Sequence, residues 1–170
     1  MQNMKMVKVS FGSGMLIDEG GSMNNTLKNL EQAIAEYADY CRTHIFDDPL
    51  NELFIKVIEA GVALYKDESC EVYSDAEQGW AEDERYYLPL FTSLDEITED
   101  VNTYIRVRPA SRVFDAADKF DMFDGVVINP YGNNPFTFDD WPLAAVLMMG
   151  NGADHFTLVN PETGEETNII

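Results

Sequence analysis

From Asn25 onward, Leu27, Leu30, Ile34, Tyr37, Cys41 and Ile45 recur at intervals of three or four, the spacing that lines one face of a helix. Glu31, Glu36, Asp39 and Arg42 fall on its other faces. A second helix is expected after Asp47-Asp48-Pro49. Asp48 stands where a cap belongs, Pro49 suits a first turn, and Leu50, Leu53, Phe54, Val57 and Ile58 form the apolar stripe. Gly61 reads as its end. Ahead of both helices, residues 1–24 hold a short strand candidate, Met6 to Phe11, and a flexible arm containing Gly12, Gly14, Gly20 and Gly21.

The pattern then turns strand-like. Val62 to Tyr65 and Cys70 to Tyr73 flank a polar turn at Lys66 to Ser69, which predicts a hairpin. Residues 74–85 read as a charged loop, with Glu77, Glu82, Asp83 and Glu84 near Trp80. Tyr86 to Phe91 is apolar throughout, and Pro89, lacking a donor, predicts an edge position or a bulge. Ser93-Leu94-Asp95-Glu96 has the spacing of a capping box and predicts a short helix to about Val101.

Thr103 to Val107 is expected as a strand and Ser111 to about Asp121 as a helix with Val113, Phe114, Ala117 and Phe120 inward. Gly125 to Asn129 follows as a buried strand closed by Asn129-Pro130. These three elements form a β-α-β crossover whose strands run parallel as neighbours or near neighbours. Asp139 or Asp140 caps a last helix through Leu143, Val146 and Leu147, ending near Gly150 or Gly152, and Phe156 to Val159 is a closing strand. The fold class is α+β: a mixed β-sheet, built of a hairpin and a crossover unit and covered by helices, in a single domain over residues 25–170.

Composition narrows the partners. Of 170 residues 45% are hydrophobic, ample for a core. The 31 acidic side chains against 11 basic ones give a net charge of −20, which repels phosphate backbones and anionic lipid. Nucleic acid and membrane surfaces are therefore excluded as expected partners, and a protein with a basic surface is favoured. The first residues lack a signal-peptide pattern, and the longest apolar run, Leu143 to Met149, falls far short of the roughly 20 residues of a spanning helix. A cytoplasmic location is expected. Cys41 and Cys70 are expected as two buried thiols, not as a disulfide.

No complete catalytic, metal or phosphate-loop motif occurs, so no catalytic residue, metal or cofactor is expected. Cys41 and His44 share a helix face, but Cys70 and His155 supply no C-x-x-C or H-x-x-x-H partner spacing, and core cysteine is the simpler reading. Asp115, Asp118, Asp121 and Asp124 repeat every third residue, interrupted by Phe120 and Phe123, which suits a solvated face better than a calcium loop. Arg106, Arg108 and Arg112 are more unusual in so acidic a chain. The first two project from one strand face with Arg112 just beyond, and they either pair with acidic residues internally or receive an acidic peptide or small anion. The loop Asn129-Pro130-Tyr131-Gly132-Asn133-Asn134-Pro135 ends a buried strand, where ligand sites recur, so Asn129, Tyr131 and Asn133 are candidate binding residues.

Two runs carry a family resemblance: Leu88-Pro89-Leu90-Phe91-Thr92-Ser93 leading into an acidic helix start, and Gly125-Val126-Val127-Ile128-Asn129-Pro130-Tyr131-Gly132. With the amphipathic first helix and the hairpin between, they make residues 25–150 resemble the N-terminal domain of the SseB family, the enhanced-serine-sensitivity proteins. The resemblance implies a bacterial, cytoplasmic α+β domain with no established catalytic residues. Longer members carry a second, C-terminal domain, which this chain is expected to lack. The function expected from residues and resemblance together is a non-catalytic protein-interaction module. The alternative is a small-molecule or anion-binding protein or enzyme using the Asn129–Asn134 loop, the Arg106/Arg108 face and His155.

Overall fold

The computed structural model describes residues 25–44, 51–75, 80–82, 84–97 and 105–170. The expected strand at Met6–Phe11, the glycine-containing arm, Ile45, the Asp48-Pro49 helix start, and Thr103 lie outside them. The first apolar stripe forms as its spacing requires, with Leu27, Leu30 and Ile34 buried on α1 (Asn25–Thr43). Farther along, Cys41 is only half-buried, whereas Cys70 is buried, so one of the two thiols is less enclosed than expected.

Helix α2 (Glu52–Lys66) is capped by Asn51, whose side chain accepts from the amides of Leu53 at 2.9 Å and Phe54 at 3.0 Å. It runs straight through Gly61, so the strand expected at Val62–Tyr65 is helix, and the hairpin built on it does not form. The reason is tertiary. Val57, Ile58, Gly61, Leu64 and Tyr65 are buried along one helical face. Gly61 is there for proximity, because a Cβ on it would lie 2.9 Å from the Phe138 ring.

Six strands make one sheet: β1 (Glu71–Asp75), β2 (Trp80–Glu82), β3 (Arg85–Phe91), β4 (Ile105–Pro109), β5 (Gly125–Ile128) and β6 (Phe136–Asp139). Their order is β4-β1-β3-β5-β6, with β2 also beside β3. Only β3 and β5 pair in parallel among the described strands. Strand β4 is antiparallel to β1, itself antiparallel to β3, so β4 and β5 run parallel with β1 and β3 between them. Helix α3 (Ala110–Lys119) makes that near-neighbour crossover, and Phe120, past its end, is 50% exposed where an inward position was expected. Strand β6, for which the periodicity gave no separate signal, pairs with β5 ahead of α4 (Asp140–Gly150).

Pro89 sits in central strand β3, against the expectation of an edge or bulge. The carbonyls of Tyr86 and Leu90 accept from Asp124 and Asn129 on the β5 side, so Pro89, alternating with them, turns its missing donor toward the other side. There the neighbour changes: β1 pairs with Leu90 and Phe91, and β2 with residues Arg85 to Tyr87. Proline occupies the gap between two partners, and Ser74 donates its hydroxyl to the Pro89 carbonyl at 2.8 Å.

Val72, Leu88, Leu90, Val126, Ile128, Phe136 and Phe138 meet the buried residues of the four described helices in one cluster. The opposite face holds a smaller cluster of Phe91, Ile97 and Ile105, flanked by Tyr73 and Leu94. Helices on one side of a largely antiparallel sheet make the fold α+β, as expected. Strands β7 (Thr157–Val159) and β8 (Glu166–Asn168) form a separate hairpin, so the closing strand does not join the main sheet. The capping box does not form either: Leu94–Glu96 is one 3₁₀ turn, and the Ser93 side chain caps nothing. No described helix is long and apolar enough to cross a membrane.

Replacing Gly61 tests the helix-sheet contact, because two effects oppose. Alanine favours a helix interior by about 1 kcal/mol over glycine, while overpacking a core costs about 1–3 kcal/mol. The Phe138 ring is fully buried and wedged between Phe114 and Phe136, so it has little room to yield. Gly61→Ala is therefore expected to lower stability by about 1 kcal/mol or more in urea unfolding.

Candidate functional site

The parallel strands β3 and β5 end side by side, and the two runs that follow them meet there. Thr92 leaves β3 and Asn129 leaves β5, both buried. The Thr92 amide donates to Asn129 Oδ1 at 3.0 Å, and Asn129 Nδ2 donates to Thr92 Oγ1 at 3.0 Å. Asn129 adopts φ +48°, a left-handed conformation that asparagine tolerates better than most residues. Its amide donates to the Leu90 carbonyl at 2.9 Å, and its carbonyl accepts from Gly132 at 2.9 Å, which starts the turn into β6.

This lock reaches one step farther. The Thr92 hydroxyl donates to Glu31 on α1, fixing that carboxylate beside the loop. Glu96 arrives from the other direction on the 3₁₀ turn, anchored by Ile97 and Leu94 in the smaller cluster. Between them lies a cleft of about 200 Å³ lined by Glu31, Ile34, Glu96, Ile128, Asn129, Gly132, Asn133 and Asn134. Gly132 shapes its floor, since a Cβ there would stand 2.5 Å from Glu96 Oε1. On the rim, Arg42 donates to Asn134 Oδ1 at 2.6 Å and is also paired with Asp39. Burial first, then Glu31 and Asp95, push the Glu96 carboxyl above its ordinary value. The cleft is thus an acceptor-rich, negatively charged hollow with two isoleucines in its wall.

The candidate residues do not converge on one site. Asn129 and Asn133 line the cleft. Tyr131 is 46% exposed, with its ring stacked on Phe91 at 6.3 Å. Ile128, Leu90, Ser74 and Arg106 lie in one row across the sheet, which puts Arg106 three strand spacings, roughly 14 Å, from the end of β5. Arg106 is exposed and donates to the Ile105 carbonyl at 3.3 Å, Arg108 is half-buried opposite Val72, and Arg112 is exposed on α3. None of the three makes an ion pair with a described residue. His155 is exposed and does not line the cleft.

The other constellations are spent on structure. His44 stacks on Tyr40 with ring centroids 4.1 Å apart and touches Thr43 Oγ1. Burial pushes the Cys70 thiol up to about 12, which keeps it protonated and unreactive. Asp115 accepts from the Tyr65 hydroxyl at 2.6 Å and Asp124 from the Tyr86 amide at 2.8 Å. Among the described residues no group of three or more histidine, cysteine or acidic side chains is arranged to hold a metal. Asp139 stands at the start of α4, but its carboxylate accepts from the Tyr87 hydroxyl at 3.0 Å and caps no amide.

Sequence reasoning missed Glu31, Thr92 and Glu96. Glu31 read as an outer helix position and Glu96 as a cap. Thr92 carried a usable signal, because it and Asn129 stand just past two strongly apolar runs that pair in parallel.

Three variants separate the lock from the cleft. Asn129→Ala leaves the buried Thr92 amide without its acceptor and strains a left-handed position, so a loss of about 2–3 kcal/mol is expected. Asn129→Gly relieves the strain but not the lost bonds, and denaturant unfolding should place it between alanine and wild type. Glu96→Gln acts in the opposite direction. A carboxyl whose value is raised on folding binds protons more readily in the folded chain, so its contribution to stability falls as pH rises through that raised value. The variant should melt higher than wild type near pH 7, and the difference should vanish as pH falls through about 4, where both folded and unfolded chains are protonated.

Comparison with curated proteins and with solved structures gives no match. Residues 30–145, by contrast, match the SseB protein N-terminal domain, a stretch that contains both strand ends, the loop and both carboxylates of the cleft. The chain belongs to the SseB family.

Proposed function

We propose that this chain is a non-catalytic, cytoplasmic interaction module that recognises a protein partner with a basic surface. The observation that supports it is the cleft at the ends of β3 and β5, where Glu31 and Glu96 face a common hollow and, among the described residues, no lysine or arginine lines it, Arg42 standing on the rim. At about 200 Å³ the cleft is smaller than the roughly 300–1,000 Å³ used by drug-sized ligands, so it suits the tip of a side chain better than a whole cofactor. A net charge of −20 adds long-range attraction for a basic partner and repulsion for nucleic acid.

The alternative of an anion site shared by the loop and the Arg106/Arg108 face has little support, since the two lie about 14 Å apart and the loop side is acidic. On this reading Asn129 and Asn133 belong to the binding surface, Tyr131 borders it in the chain, and Arg106, Arg108 and Arg112 lie outside it.

Affinity purification of the tagged chain from its host, at low and at moderate salt, tests the proposal. A basic protein retained at low salt and released at moderate salt is expected, because screening within a Debye length of roughly 10 Å weakens charge-led association. Recovery of nothing above background in either condition, or only of acidic proteins indifferent to salt, would count decisively against it.

A further inference from the structure

Strand β4 stands last in the sheet order, so one of its two sides has no neighbour among the described strands. Just past it, Ala110 donates to the Cys70 carbonyl at 3.1 Å, and the same register sets Arg108 against Val72 and Arg106 against Ser74. Residues of an antiparallel pair alternate between exchanging both backbone bonds and turning both groups away. Arg106 and Arg108 therefore bond to β1, while Ile105, Val107 and Pro109 turn their groups outward. Pro109 has no N–H, and the Arg106 guanidinium already donates to the Ile105 carbonyl at 3.3 Å. At Val107 both groups are open: no partner among the described residues meets its N–H or its carbonyl.

The side chains give this edge a pattern. Arg106 and Arg108 share a face with Val72 and Ser74, whereas the two carboxylates of β1, Glu71 and Asp75, project from the opposite face. That alternation explains why neither arginine has an ion pair among the described residues of so acidic a chain. On the other face, half-buried Val107 lies opposite Tyr73, beside the cluster of Phe91, Ile97 and Ile105. A strand added here meets a cation, a half-buried apolar side chain and a second cation in succession.

We infer that the β4 edge is a strand-addition site for an extended segment of a protein partner with the order acidic, apolar, acidic. The apolar residue faces Val107, exchanges both backbone bonds with it in an antiparallel pair, and extends the cluster around Ile105. The flanking carboxylates lie opposite Arg106 and Arg108, at the cross-strand distance where opposite charges attract. Docking moves the Arg106 guanidinium from the Ile105 carbonyl to a carboxylate and frees that carbonyl for the next N–H of the segment. The net charge of −20 opposes an acidic segment at long range, but that field is screened within roughly 10 Å, and at contact the two arginines are nearest. The edge lies apart from the acidic cleft and takes the opposite charge, so it stands or falls independently of the proposed basic partner.

Two other occupants are disfavoured by charge. Pairing β4 with β4 of a second copy about Val107 sets each Arg106 against an Arg108. Met6 to Phe11, the strand candidate of this chain, carries Lys8 between Val7 and Val9, so seating either valine against Val107 sets Lys8 against an arginine.

The test is a titration of the full chain, followed by amide NMR at fixed ionic strength, with the blocked pentapeptide threonine-glutamate-valine-glutamate-threonine. Saturable shifts at Ile105 and Val107 in the millimolar range are expected, and the Val107 amide should exchange fast in the free chain and at least fivefold more slowly near saturation. The isomer glutamate-threonine-valine-threonine-glutamate keeps the charge but turns both carboxylates to the other face, and it should bind at least fivefold more weakly. The same loss is expected for the double variant Arg106→Gln/Arg108→Gln. A peptide N-methylated at its valine tests the backbone ladder on the unaltered protein and should not bind. Equal binding of the isomer, of the methylated peptide or of inorganic phosphate at these amides would reduce the effect to charge and overturn the proposal. A Val107 amide protected in the free chain would overturn it too, showing the edge covered by a second copy if protection falls on dilution and by the chain itself if it does not.

Discussion

A carboxamide buried between two strand ends must find partners for all its polar atoms, and that requirement organises the end of this sheet. Left unpaired, a buried amide or hydroxyl costs about 1–3 kcal/mol, so each group at the β3/β5 terminus is committed to one arrangement. Asn129 satisfies the Thr92 amide and hydroxyl, and Thr92 in turn binds Glu31. The left-handed backbone at Asn129 then sends the chain away from the strand axis, where its carbonyl takes the Gly132 amide. One side chain thus joins a strand, a loop and a helix. The cleft is the space left where these three cannot close on one another.

The same reasoning explains the middle of the sheet. A proline in a central strand leaves one backbone position without a donor, which is costly where a continuous neighbour expects one. Strand β3 avoids the cost by having two successive neighbours on that side, β1 and β2, with Pro89 at the junction and Ser74 supplying a side-chain donor to its carbonyl. Gly125 plays a related part on the other side of β3. Paired between Tyr87 and Asp139, it leaves no bulk in the row, and the Tyr87 hydroxyl reaches across it to the Asp139 carboxylate. A Cβ at Gly125 would lie 2.2 Å from the Phe138 carbonyl, so the close approach of β5 and β6 depends on its absence.

Signals with a long period were legible in the sequence. The stripes of α1 and α3 and the buried run of β5 follow from burial, which the spacing of apolar residues records, and the parallel relation of β4 to β5 follows from the helix that connects them. What failed was punctuation. Gly61 read as a stop because glycine commonly ends helices, yet here the close Phe138 ring selects it, a fact of tertiary distance invisible along the chain. Pro89 read as an edge residue because the sequence does not say where a neighbour changes. The Ser93–Glu96 spacing met the capping rule, but Glu96 turns toward the cleft instead of back to Ser93. Of the site itself, Asn129 and Asn133 were legible from loop chemistry. Glu31 and Glu96 were not, because a carboxylate on a helix of an acidic protein looks like every other one.

That anonymity bears on how an acidic protein selects a partner. With 31 acidic side chains, nearly any basic surface is attracted, and the attraction fades beyond roughly 10 Å in salt because both charges are hydrated and screened. Such a field raises encounter rates but distinguishes poorly between partners. Glu96 differs because burial and the charge of Glu31 both oppose its ionised form, as the upward displacement of its carboxyl records. A cation entering the cleft relieves that opposition, and the relief requires contact, whereas the general field acts at a distance. For a basic partner of the kind proposed, attraction would come from the general field and discrimination from the carboxylates that the fold forces together.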